Sequence, residues 1–254
     1  MTNFEAIVLG LLQGATEFLP ISSSGHLILA ERFFGIEATL SFDVFLHLGT
    51  LLAVLLYFRT DWWRMVRLRD PLDRRLLFFL VLATIPGALA GFFLESMVES
   101  HFREPGRVAF MLAFMSLPLV LAEVLGSRKH LLPSLKLPQA LAIGCAQALA
   151  VIPGTSRSGI TMATGLLVGL TREEAARFSF LLSAPIIAGA GLYETLKLFK
   201  HGETLILPYF SGFLAAFISG YLVIAWLLHF LRKHTFYPFV VYRLILAGVV
   251  YALF

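Results

Sequence analysis

Two short stretches of this sequence hold residue types that could do chemistry. Residues 13–26 read QGATEFLPISSSGH. Gln13 and Glu17 stand four apart and so share one face of a helix. In such apolar surroundings a carboxylate needs a partner or water. Glu17 is therefore a candidate proton acceptor, and its plainer alternative is a structural ion pair. Ser22, Ser23 and Ser24 place hydroxyls beside Gly25, as nucleophiles or as helix caps. His26 is a candidate general acid or base near neutral pH, or an ordinary histidine at a helix start. Residues 153–161 read PGTSRSGIT. Arg157 lies in a turn that opens a helix, where backbone N–H groups, hydroxyls and a guanidinium together make an anion site. Arginine suits bidentate phosphate recognition, and its alternative is a side chain reaching out to the membrane surface. One acid, one histidine, one arginine and many hydroxyls are the parts for cleaving a phosphoanhydride on an amphiphile. Glu17 and His26 would move protons while Ser23 or water attacks. Arg157 would hold the diphosphate, with Gln13, Ser22, Ser24, Gly154, Thr155, Ser156, Ser158, Gly159 and Thr161 as the surrounding binding set.

The rest of the chain says what must position these residues. It has 254 residues, of which 58% are hydrophobic and only 14% charged, with 24 Phe and a mean hydropathy of +0.83. A soluble domain is usually about a quarter charged, so this composition predicts an all-α integral membrane protein and excludes soluble enzymes and nucleic-acid binders. A β-barrel is excluded because the apolar runs are continuous rather than alternating. The net charge of +4 belongs to segments between apolar runs, where basic residues set topology and meet anionic headgroups. The single cysteine, Cys145, allows no disulfide within the chain. No cleavable signal sequence is expected, because Glu5, Gln13 and Glu17 interrupt the first apolar stretch and no Lys or Arg precedes it.

Six stretches are long enough to span a bilayer: 41–58, 76–94, 108–125, 178–199, 208–231 and 239–254. Residues 4–34 and 139–170 instead read as two short helices around a Pro/Ser/Gly break, and are expected to be re-entrant hairpins shielded by protein. Segment 59–75 carries six Arg, 126–138 carries Arg128, Lys129 and Lys136, and 232–238 carries Arg232 and Lys233; 95–107 balances Arg103 and Arg107 against Glu95, Glu99 and Glu104. Basic segments stay cytoplasmic, which puts both termini outside and brings the hairpins in from opposite sides. The chain also repeats. At an offset of 134, Gly10, Gln13, Ser22, Ser24 and Gly25 fall on Gly144, Gln147, Ser156, Ser158 and Gly159. A hairpin plus three spans is an odd number of crossings. A single polytopic domain therefore divides into inverted repeats of about 4–125 and 139–254, an arrangement that places a site where the breaks meet.

The two break motifs, together with SFDVFLHLGT at 41–50 and TREEAARFSFLLSAP at 171–185, closely resemble the bacitracin-resistance undecaprenyl-diphosphate phosphatase family along nearly the whole chain. The resemblance implies removal of the terminal phosphate of undecaprenyl diphosphate, which returns the lipid carrier to peptidoglycan synthesis in the bacterial inner membrane. It assigns the (E/Q)xxxE motif to Gln13 and Glu17, with roles for Ser23, His26, Ser156, Arg157 and Thr161. Gln13 stands where many members have Glu, and an amide is neither a base nor a strong metal ligand. No cofactor is required; a divalent cation, Mg or Ca, is compatible with the family but is served by only one carboxylate. The SGH tripeptide at 24–26 also occurs in acid-phosphatase-type membrane phosphatases, but these need a His soon after their Ser-Arg pair, and none follows Arg157 until His201. The expected partners are a polyprenyl diphosphate and membrane lipids, with no nucleic acid, and a homodimer stays open. The rival expectation is a lipid-carrier transporter or flippase, since inverted repeats with broken helices are transporter architecture. The pocket is expected to open to the outer, periplasmic face.

Overall fold

Apolar runs of this kind fold as helices because each backbone N–H and C=O must be satisfied within its own segment once water is absent. The computed structural model describes residues 1–36, 38–102, 104–201 and 207–253, and among these it contains twelve α-helices and no strand. In chain order they are α1 (Asn3–Glu17), α2 (Ser23–Phe34), α3 (Leu40–Tyr57), α4 (Arg59–Arg67), α5 (Pro71–Phe102), α6 (Pro105–Phe114), α7 (Leu117–Leu125), α8 (Leu137–Ala148), α9 (Arg157–Leu167), α10 (Arg172–His201), α11 (Leu207–Leu231) and α12 (Tyr237–Leu253).

Among the described residues four helical stretches are long and apolar enough to cross a membrane: Pro71–Leu94, Pro105–Leu125, Arg172–Tyr193 and Leu207–Leu231. A fifth is obtained if α3 is joined to α4 across a 73° bend. At 1.5 Å per residue α3 and α12 reach about 25–27 Å, the short limit for a bilayer core. Their outer surfaces are apolar. Phe92 and Phe93 on α5, Phe110 on α6, Val124 on α7 and Leu222 on α11 are each more than 60% exposed, a surface that suits lipid and not water.

Two segments expected to be connecting loops are helical. Residues 59–67 form α4 because its polar residues are spaced to bury one face, with Asp61 and Met65 inside and Arg67 stacked over Trp63 at 4.5 Å. Helix α5 runs on to Phe102, beyond the predicted end at 94. Arg103, counted with the balanced segment 95–107, and Phe254, the end of the last predicted span, lie outside the described residues.

Close helix packing sets the two breaks in place. Helix α1 lies on α11 and α8 lies on α5, each through glycine. A Cβ added at Gly10 would fall 2.3 Å from the Gly212 carbonyl oxygen, and one at Gly144 would fall 2.4 Å from that of Ala83. Only glycine allows backbones this close, the small-residue packing that membrane helices use. Helix α10 is fixed by its first turns. Arg172 donates to both oxygens of buried Glu123 at 2.8 and 2.5 Å, Arg177 reaches Asp61 at 2.5 Å, and Glu173 receives Arg232 at 2.8 Å.

Candidate functional site

Helix α1 stops at Glu17, and residues 18–22 turn the chain into α2. Ser22 takes φ 75° and ψ 96°, a backbone that non-glycine residues rarely adopt, and its Oγ caps α2 by accepting from Gly25 N–H. The second break repeats this. Ser156 takes φ 71° and ψ 104°, and its Oγ accepts from Gly159 N–H. Strained backbone held in this way is characteristic of functional segments. In each break the strain turns the next residue, Ser23 or Arg157, toward a shared cavity of about 280 Å³.

Four groups converge on the Glu17 carboxylate. Arg157 Nη2 donates to Oε1 at 2.5 Å. Ser23 Oγ donates to Oε2 at 2.5 Å and Gln13 Nε2 to the same oxygen at 2.9 Å. His47 Nε2, from α3, stands 3.6 Å from Oε2. The His47 ring is oriented by its other nitrogen, which donates to the Asp43 carbonyl at 2.7 Å. Arg157 also donates to the Ser179 carbonyl at 3.3 Å, and Thr161 Oγ1 bonds the Ser179 hydroxyl at 2.7 Å. A hydroxyl on a carboxylate beside a guanidinium can act as a nucleophile with its base at an anion site.

The other predicted residues divide by position. Ser22, Ser24 and Ser156 line the cavity with Glu17, Ser23 and Arg157. His26 does not reach that group. Its Nδ1 donates to the Ser22 carbonyl at 2.7 Å, its Nε2 meets the Tyr242 hydroxyl at 2.8 Å, and the two rings stack. Ser158 donates to the Leu19 carbonyl at 2.8 Å and so ties the second break to the first. Gly154, at φ 88°, leaves no room for a side chain, since a Cβ there would fall 2.7 Å from the Val108 carbonyl oxygen.

Three neighbours are not among the site residues expected from the sequence, although Gln147 is named there as the repeat counterpart of Gln13. His47 and Gln147 both line the cavity. Arg243 is fully buried and has no carboxylate partner among the described residues; its guanidinium donates to the carbonyls of Pro20 at 3.2 Å, Gly154 at 3.0 Å and Thr155 at 3.1 Å. It also bonds the Leu112 carbonyl and the Ser116 hydroxyl. One side chain thus holds both breaks. An arginine inside an apolar run is itself a signal of function, and that signal was present in the sequence.

The donor set fits a hard divalent cation poorly. Among the described residues no group of three or more His, Cys, Asp or Glu could hold a metal, and the one carboxylate at the cavity already spends both oxygens on Arg157, Ser23 and Gln13. Magnesium and calcium sites want several oxygen ligands.

Comparison with known proteins places the chain in a family. A family model described as bacitracin resistance protein BacA matches residues 6–249. The chain is 49% identical to an undecaprenyl-diphosphatase of Desulforudis audaxviator over 97% of this chain and 95% of that one. It is 47% identical to an undecaprenyl-diphosphatase of Moorella thermoacetica over 100% and 98% of the two chains. Against the protein of that name from Rubrobacter xylanophilus the figures are 45%, 98% and 97%.

Proposed function

The chain belongs to the bacitracin resistance protein BacA family, and on that basis we propose that it removes the terminal phosphate of undecaprenyl diphosphate. The products are inorganic phosphate and undecaprenyl phosphate, the carrier that peptidoglycan synthesis reuses. The observation that carries this reading is the meeting of Glu17, Ser23 and Arg157 at one cavity, with Arg157 Nη2 and Ser23 Oγ each 2.5 Å from the carboxylate.

In the proposed reaction the guanidinium of Arg157 turns from Glu17 to the terminal phosphate and stabilises the charge spread over its oxygens. Ser23 Oγ attacks the terminal phosphorus and its proton passes to Glu17. The bond from that phosphorus to the bridging oxygen breaks, and the lipid monophosphate leaves with the electron pair. Water then cleaves the phosphoserine, giving inorganic phosphate and restoring the hydroxyl. His47 lies beside Glu17 and is a second group able to take up a proton there. We read His26 as a positioning residue that acts through the Ser22 carbonyl, directly before the attacking serine. A divalent cation accompanying the substrate's phosphates would need no cage of protein carboxylates.

The test is phosphate release from undecaprenyl diphosphate by purified protein in detergent. Wild type releases phosphate, and Glu17→Gln and Arg157→Ala each fall by at least about a hundredfold. Folded wild-type protein that releases none, with and without divalent cations, would leave a lipid-carrier transporter as the better account, because transport gives no signal without compartments.

We take α3, α5, α6–α7, α10, α11 and α12 as six spans, and α1–α2 and α8–α9 as re-entrant hairpins of inverted repeats, with the site open to the outer face. Support comes from the matched serine geometry of the breaks and from reciprocal packing, α1 on α11 and α8 on α5. Cysteines placed at 232–234 resist labelling from outside intact cells; efficient labelling there reverses the orientation.

A further inference from the structure

Gln147 is the counterpart of Gln13 in the internal repeat, yet its amide is used differently. Gln13 donates to Glu17 at 2.9 Å. Gln147 is 2% exposed, lines the same cavity, and among the described residues neither its Oε1 nor its Nε2 has a hydrogen-bond partner. Its seat is built by α5. A Cβ on Gly87 would fall 2.9 Å from Gln147 Nε2, so the glycine there makes room for the amide. A buried polar group without a partner is costly, and native proteins carry few of them. In a cavity wall, such a group points to a ligand that completes it.

The surroundings say which part of a ligand that would be. The cavity is lined by the apolar Ala150, Val151, Ile186, Ile187 and Ala190 as well as by Ser23, Glu17 and Arg157, and a Cβ on Gly87 would meet Ile186 Cδ1 and Gln147 Nε2 alike at 2.9 Å, which sets the amide beside an apolar part of the lining. We propose that Gln147 is a substrate-binding residue whose Nε2 donates to a non-bridging oxygen of the phosphate that stays on the polyprenyl chain, while Arg157 holds the phosphate that is released. This rests on the hydrolase reading above. A neutral amide suits the task, since it donates to an anion without competing with Arg157 for Glu17. The repeat thus spends one glutamine on the base and the other on the lipid-linked phosphate.

The two phosphates separate in the products, which makes the assignment testable. Purified full-length protein in detergent is assayed on undecaprenyl diphosphate, with inhibition by undecaprenyl phosphate and by inorganic phosphate measured separately. For Gln147→Leu the KM and the inhibition constant for undecaprenyl phosphate rise by about tenfold or more, the loss expected for one hydrogen bond to a charged group. The inhibition constant for inorganic phosphate stays unchanged. Gln147→Glu keeps the volume but brings a carboxylate against the phosphate, and weakens undecaprenyl phosphate further. It carries the test should the leucine variant not fold. Undiminished inhibition by undecaprenyl phosphate in both variants would overturn the assignment, and so would weakening confined to inorganic phosphate. Wild type that releases no phosphate would sink the hydrolase reading together with this one, whereas active wild type with unaffected variants sinks this inference alone.

Discussion

The two breaks have nearly the same backbone and different chemistry. Ser22 and Ser156 share positive φ and cap the following helix in the same way, with Gly25 and Gly159 as donors. Around that common frame the side chains diverge. Where the first break has Glu17 and Ser23, the second has Val151 and Arg157. Duplicated geometry aims both breaks at one cavity, and two differences per break turn a symmetric frame into an acid with a hydroxyl facing a cation. In the proposed reaction the backbone makes the place and a few residues choose the chemistry. That is how function is grafted on a fold.

The strongest way to break this comparison is to exchange the charges, with Glu17→Arg and Arg157→Glu in one protein. An ion pair serving only as a brace would work in either sense. A site that needs the base beside Ser23 and the guanidinium on the opposite break would not. Phosphate release by the double variant is expected to fall at least about a thousandfold, while thermal unfolding in detergent shows that the pair still forms. Recovery of activity in the exchanged protein would reduce the breaks to interchangeable supports.

A smaller effect is expected where the breaks are joined. Arg243→Met removes donors from Pro20 in the first break and from Gly154 and Thr155 in the second. Leaving several buried carbonyls unpaired costs about 3 kcal/mol or more in total, read as a lower unfolding temperature, and activity falls with it. An unchanged unfolding temperature would mean that the breaks hold their shape without Arg243. The mildest change concerns the first break alone, because Ile160 occupies in the second the position of His26. Tyr242→Phe deletes the hydroxyl that meets His26 Nε2 at 2.8 Å, with an expected loss of about 1 kcal/mol and a change in activity of a few-fold. A collapse of activity would promote His26 from positioning to proton transfer.

What could be read from the sequence was whatever interrupted it. Proline, glycine and serine clusters in apolar runs announced both breaks, and Glu17 and Arg157 were conspicuous because charge is expensive there. Arg243 is equally charged and more deeply buried, but it sits in an uninterrupted run with no turn residues to draw attention to it. His47 lies within a span whose neighbours are apolar, and only folding brings it to Glu17. Gln147 was legible as a repeat marker, whereas its lack of partners depends on what α5 places beside it. The charges of residues 59–67 outweigh their apolar residues and so predict a loop; α4 forms instead with Asp61 buried against Arg177 of α10, a partner far away in sequence.

The position of Arg243 in the chain has a consequence for assembly. It lies in α12, which is synthesised after both breaks and after every helix that lines the cavity. During translation the hairpins can reach their places, but their exposed carbonyls stay without the guanidinium until this last segment is threaded in beside α6 and α7. The clasp is therefore the last part of the site to be made, and a chain arrested before residue 243 would hold every proposed catalytic group, with the breaks joined by the Ser158–Leu19 and Arg157–Glu17 contacts but without the guanidinium that binds the carbonyls of both.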